Sequence, residues 1–188
     1  PIAIGILTEE EVLDWEKIKN YAFIGELALD GLIRGINGVL PLVLGLKEAG
    51  IVDIVVPKSN AKEAALIDGV NIYPAEHLTD VVNHFIDTKI TPLNIDIQKY
   101  LTAQSEIEYP YDFKDVKGQQ KAKKALEIAA AGGHNMLMIG SPGSGKTLMA
   151  KCFPSILPPL TLPEALELTK IYSICGLLSQ EEPLMSKR

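Results

Sequence analysis

With 188 residues, 47% of them hydrophobic and 22% charged, the chain has the balance of one large or two small globular domains. A net charge of −6 argues against a broad nucleic-acid-coating surface and leaves room only for a local basic pore or loop. No apolar run approaches the ~20 residues of a membrane-spanning helix, so no membrane partner is expected.

The start, Pro1-Ile2-Ala3-Ile4-Gly5-Ile6-Leu7, has no basic region before it and no initiator methionine. It reads as a fragment cut inside an apolar element, of a cytoplasmic protein without a secretory leader. A buried helix end and a strand both fit it. Thr8-Glu9-Glu10-Glu11 reads as an N-cap and acidic first turn of a short helix ending near Lys19. Phe23 to Leu29 alternates like a strand, Asp30-Gly31 supplies a hairpin turn, and Leu32-Ile33 starts the return strand. Gly38 to Glu48 has helical length and ends at Gly50. Ile51 to Val56 reads as a buried strand closed by Pro57, then a helix from Asn60 to Ile67, a strand from Val70 to Tyr73 and a helix from about Glu76 to Phe85.

This alternation predicts a small α/β domain over 1–87. Residues 88–111 have weak periodicity, with Pro92 and Pro110 as breakers, and read as a linker. Gly118 to Ala131 predicts an amphipathic helix with Ala122, Ala125, Leu126 and Ala129 on one face; Lys121, Lys123 and Lys124 fall mostly on the opposite, solvated face. Past the middle of the chain, prolines 154, 158, 159 and 163 mark a turn-rich passage before a helix from Glu164 to Ile171. Cys152 and Cys175 lack a metal-ligand partner at useful spacing and read as buried thiols rather than a disulfide. His77 and His84 could share a helix face as a half-buried pair, and with His134 they form no ligand set.

The chemistry is concentrated in Gly140-Ser141-Pro142-Gly143-Ser144-Gly145-Lys146-Thr147, which fits glycine, four residues, glycine-lysine-serine/threonine. Met136-Leu137-Met138-Ile139 before it reads as a short buried strand, and Leu148-Met149-Ala150-Lys151 after it as a first helical turn. Gly143 and Gly145 permit backbone angles that let successive N–H groups line an anion-binding hollow, to which the helix start adds its dipole. The Lys146 ammonium is then placed for the β- and γ-phosphates of a nucleotide and the Thr147 hydroxyl for Mg²⁺.

Three stretches resemble the ComM-type, magnesium-chelatase-subunit-like AAA+ ATPases. Residues 23–31, with 38–41 and 54–57, resemble that family's Lon-protease-like N-terminal domain. Asp112-Phe113-Lys114-Asp115-Val116-Lys117-Gly118-Gln119 resembles the segment that opens its AAA+ module. Residues 133–147 and 156–161 resemble its phosphate loop and following insert. The resemblance implies a Lon-protease-like, ribosomal-protein-S5-like α/β domain, incomplete at its start, followed by a partial P-loop AAA+ domain over 112–188. It implies a ring-forming, hexameric ATPase acting on DNA by branch migration, and places Val116, Lys117 and Gly118 near the adenine through backbone contacts. A magnesium-chelatase-like remodelling role is an alternative on the same analogy.

Two departures limit what the resemblance carries. Ile2 stands where the serine of a Lon peptidase pair would be and Leu40 where its lysine would be, and neither side chain is a nucleophile or base. Downstream of Thr147 there is no apolar strand ending in Asp-Glu, the device that holds Mg²⁺ and orients the attacking water; Glu181-Glu182 lacks such a strand, and Arg188 is no convincing arginine finger. A non-hydrolysing nucleotide-binding or interaction module is therefore the rival reading.

Overall fold

The computed structural model describes residues 1–97, 100, 109–179 and 181–185. Two compact units divide them: those of Pro1–Gln98 with Leu162–Met185, and those of Lys99–Thr161.

The first unit opens with helix α1 (Ile2–Glu9). Thr8 does not cap a following helix; its hydroxyl donates back to Ile4 O at 2.8 Å, satisfying a carbonyl of its own helix. The cap of α2 (Trp15–Ile18) is Asp14, whose carboxylate accepts from Glu16 N–H at 3.0 Å. The expected strand over 23–29 is two strands in two sheets, β1 (Tyr21–Phe23) and β2 (Glu26–Leu27). Gly25 divides them at φ +137, where a Cβ would stand 2.7 Å from the Ile33 side chain. Only glycine fits that close approach, and its backbone turns the chain out of one sheet into the next. Strand β3 (Ile33–Arg34) returns antiparallel to β2 through Asp30-Gly31, as expected.

Helix α3 (Val39–Glu48) ends as the sequence predicts. Gly50 is left-handed at φ +83, with Gly50 N donating to Lys47 O and Ile51 N to Leu46 O, both at 2.9 Å. These two bonds are the Schellman pattern. Strand β4 (Asp53–Pro57) follows, then a turn of 3₁₀-helix and the short α4 (Ala61–Ala64), strand β5 (Asn71–Ala75) and α5 (Leu78–Ile86). The larger sheet is parallel with order β1-β4-β5 and register Ala22–Ile54–Ile72. Successive residues of β4 face opposite sides. Val55 joins the cluster with Ile4, Ile18, Val81 and Phe85, while Ile54 and Val56 are fully buried on the other side.

The histidines do not share a face. His77 precedes α5 as its N-cap: its Nδ1 accepts from Thr79 N–H at 3.2 Å, which leaves Nε2 to donate to Asp30 O at 2.9 Å. His84 is buried among Tyr21, Tyr73 and Phe85, and its Nδ1 accepts from Ile90 N–H at 2.8 Å. Burial lowers its pKa below the ordinary 6.5, with Lys89 adding to the effect and Asp53 opposing it. The folded state thus favours neutral His84, and its contribution to stability is complete above pH 6.5. That contribution is lost as pH falls below the unfolded value toward the lowered folded one. Thermal melts between pH 7.5 and 5.5 should show a falling midpoint for the parent and a smaller fall for His84→Gln. Equal pH dependence of the two would refute the assignment.

Helix α6 (Gln120–Gly132) and α7 (Lys146–Cys152) build the second unit. Leu126 and Ala129 are buried as the periodicity predicts, Ala122 is half-buried and Ala125 exposed. Met136–Ile139 forms no strand; Leu137 is 83% and Ile139 88% exposed, and only Met138 packs on the core. A strand exists by pairing its backbone with a neighbour, and among the described residues no strand lies beside this one.

Helix α8 (Leu162–Cys175) packs in the first unit, longer than the predicted 164–171. Gly38 N donates to Ser173 O at 3.0 Å, and the Ser173 hydroxyl donates to the buried Glu63 carboxylate. Cys152 is buried as expected, whereas Cys175 is exposed; both are free thiols. Burial pushes the Cys152 thiol above its usual range. Ten of the residues read as the linker (98, 99 and 101–108) lie outside the described residues; before them, Leu93 N donates to Ile72 O at 2.8 Å. Arg188 also lies outside the described residues.

Candidate functional site

Residues 140–147 curl around a lysine. Ser144 N donates to Ser141 O at 3.3 Å, closing the turn, and Gly143 and Gly145 take φ +76 and +86. A side chain at either position would strain the backbone. Gly145 is the N-cap of α7, so the loop runs directly into the unpaired N–H groups of the helix start. The chain also passes tightly at Gly140, where a Cβ would stand 3.1 Å from Ser144 Oγ.

The Lys146 ammonium folds back into this curl. It donates to Gly140 O and Ser141 O, each at 2.8 Å, and to Ser144 Oγ at 3.2 Å. All three acceptors are neutral oxygens. They orient the ammonium without cancelling its charge, so the positive potential remains available to an anion. Lys146 is half-buried, while Thr147, Pro142 and the loop glycines are exposed, which keeps the rim open to solvent. Thr147 stands on the first turn of α7, where its hydroxyl could reach a cation held beside phosphates.

The opening segment lies beside the loop. Asp112 caps a 3₁₀ turn, Phe113–Asp115, by accepting from Lys114 N–H at 2.9 Å. That bond, with the Lys114 ammonium, holds the Asp112 carboxyl below its usual range. Phe113 and Val116 are buried against Leu126, Met149 and Cys152. Phe113 N donates to Ser155 Oγ at 2.9 Å, and Ser155 donates on to Cys152 O at 2.8 Å. Of the residues expected near a base, Val116 is thus a core residue, while Lys117 and Gly118 are exposed. Gln119 Nε2 lies 3.5 Å from Ser144 O, tying this segment to the loop.

Sequence reasoning missed Lys123, Gln119 and Ser155. Lys123 does not lie on the solvated face; it reaches back to donate to Val116 O at 3.1 Å. No periodicity reveals that, since a long side chain can leave its own helix face. Glu181 and Glu182 are exposed, and among the described residues before them there is no apolar strand. Ile2 is exposed at the start of α1 and Leu40 is fully buried in α3.

A family model described as magnesium chelatase, subunit ChlI, matches residues 112–188, and one described as subunit ChlI of Mg-chelatase matches residues 1–60. Competence protein ComM of Haemophilus influenzae is 40% identical over 174 residues, 93% of this chain and 34% of that protein. The chain belongs to the ComM-type, magnesium-chelatase-like family. The protein YifB of Salmonella typhimurium, 40% identical over 177 residues, is matched over 93% of this chain and 33% of its own length. Lon protease 2 of Bacillus subtilis is 31% identical over 83 residues, 42% of this chain and 15% of that protein. The chain spans about a third of the length of the ComM-type relatives it matches. The α/β architecture with a parallel sheet accords with the α/β part of the expected fold class, and the likeness to Lon proteases is partial. ComM-type membership places the chain in an AAA+-like ATPase family, a class suited to nucleotide and Mg²⁺. Among the described residues no helix is long and apolar enough to cross a membrane.

Proposed function

We propose that this chain is the ATP-binding part of a cytoplasmic, ring-forming AAA+ ATPase. It comprises a Lon-protease-like domain over 1–87, a linker over 88–111 and the first part of the P-loop module over 112–188. Gly140 to Thr147 wraps the triphosphate, Lys146 contacts the β- and γ-phosphates, Thr147 holds Mg²⁺, and the base lies against Val116, Lys117 and Gly118. The observation that carries the reading is the Lys146 ammonium held by three neutral oxygens inside a glycine-rich turn that opens a helix. Such a turn offers an anion a positive centre and main-chain donors at once. Calorimetric titration of the 188-residue chain with ATP should show saturable binding that weakens when Mg²⁺ is withheld. Absence of any ATP binding would overturn the reading.

The parent protein, as a hexamer, would couple hydrolysis to remodelling of DNA. DNA is the substrate that the ComM-type resemblance implies. The description of the family models is the ground for a chelatase-like alternative. A second reading, binding without hydrolysis, is favoured by Glu181 and Glu182, which are exposed and follow no strand among the described residues. Phosphate release by the purified chain decides between them, because turnover that disappears in Lys146→Ala defeats the binding-only view.

A further inference from the structure

We propose that Lys123 is a positioning residue that holds the Val116–Gly118 segment as a preformed shelf for the nucleotide base. The inference rests on the nucleotide-binding reading above and adds to it a side chain outside the loop. The Lys123 ammonium donates to Val116 O at 3.1 Å and lies 5.1 Å from the centroid of the Phe113 ring. A helical lysine ordinarily keeps its ammonium in water. Here it directs the charge to a main-chain carbonyl and an aromatic face, two partners that hold the segment from both ends of its turn. Beyond Val116 the main chain is left-handed at two successive residues, Gly118 at φ +67 and Gln119 at φ +52. A left-handed glutamine is uncommon and persists only where its surroundings hold it. That bend carries Gln119 to within 3.5 Å of Ser144 O on the phosphate loop. A triphosphate seated in the loop therefore has this segment as a neighbouring surface, with Lys117 and Gly118 exposed on it. A shelf already in place spares the bound nucleotide the cost of ordering it.

The test separates base from phosphate. ATP and tripolyphosphate affinities are measured by calorimetry for the whole chain and for Lys123→Met, which keeps the aliphatic stem and loses the donors. ATP should weaken about tenfold, the scale of one lost charge-assisted hydrogen bond, while tripolyphosphate changes less than about twofold. Lys123→Arg, which can still donate, should stay within about threefold of the parent for ATP. Lys123→Gln serves as a second test should the methionine variant misfold, and retained tripolyphosphate binding shows that the loop is intact. Equal weakening of both ligands in both variants, or unchanged ATP affinity, would overturn the role of Lys123 alone. A parent chain that binds neither ligand would overturn the nucleotide-binding reading itself.

Discussion

Lys146→Ala should weaken ATP binding by at least about 100-fold while leaving the fold intact. The ammonium is the charged group that the loop encloses, and its hydrogen bonds to phosphate oxygens would be charge-assisted, each worth roughly 1.5–3 kcal/mol. Removing two such bonds gives a factor of about 100 or more. Its present acceptors are the Gly140 and Ser141 carbonyls and the Ser144 hydroxyl, all in an exposed or half-buried loop. Water can replace the amine on them, so the stability of the variant should lie within about 1 kcal/mol of the parent's. Calorimetry with MgATP and a denaturant titration decide the two halves. Equal ATP affinity in variant and parent would remove Lys146 from the site. A large loss of stability would make it a structural residue instead.

Glu63→Ala should destabilise the first unit by about 3–5 kcal/mol. The carboxylate is buried, and three donors converge on it: Leu40 N–H and the Ser173 hydroxyl on Oε1, and the Asn60 side-chain amide on Oε2, the Leu40 and Asn60 bonds at 3.0 and 3.2 Å. Leu40 lies in the first turn of α3, where no carbonyl of the helix can receive its N–H. Removing the acceptor strands buried donors at about 1–3 kcal/mol each and leaves a cavity besides. Glu63→Gln keeps an oxygen in place and should cost less than half as much. Urea unfolding followed by the fluorescence of Trp15, the single tryptophan, reports on this unit. A loss below about 1 kcal/mol in Glu63→Ala would show that the network is incidental to stability.

Features written in neighbouring residues were legible. Asp30-Gly31 turns the hairpin, Gly50 ends α3 and Gly143 and Gly145 bend the loop, because each depends on backbone angles that a few local residues permit. Local reading fails where a second element decides. Residues 23–29 alternate like one strand, yet Gly25 meets Ile33 and Pro57 at a corner that local alternation does not record. Met136–Ile139 has strand composition, yet pairing belongs to two strands and not to one.

Sequence alone determined the 140–147 curl, the lysine at its centre and the α/β character of the first unit, since these follow from spacing, glycine and apolar period over a few residues. Tertiary structure alone decided that Lys123 turns inward to the Val116 carbonyl and that Glu63 meets Ser173 across 110 residues. A charged side chain's burial and partner are set by whichever surfaces close over it, and that choice is made only when distant segments pack.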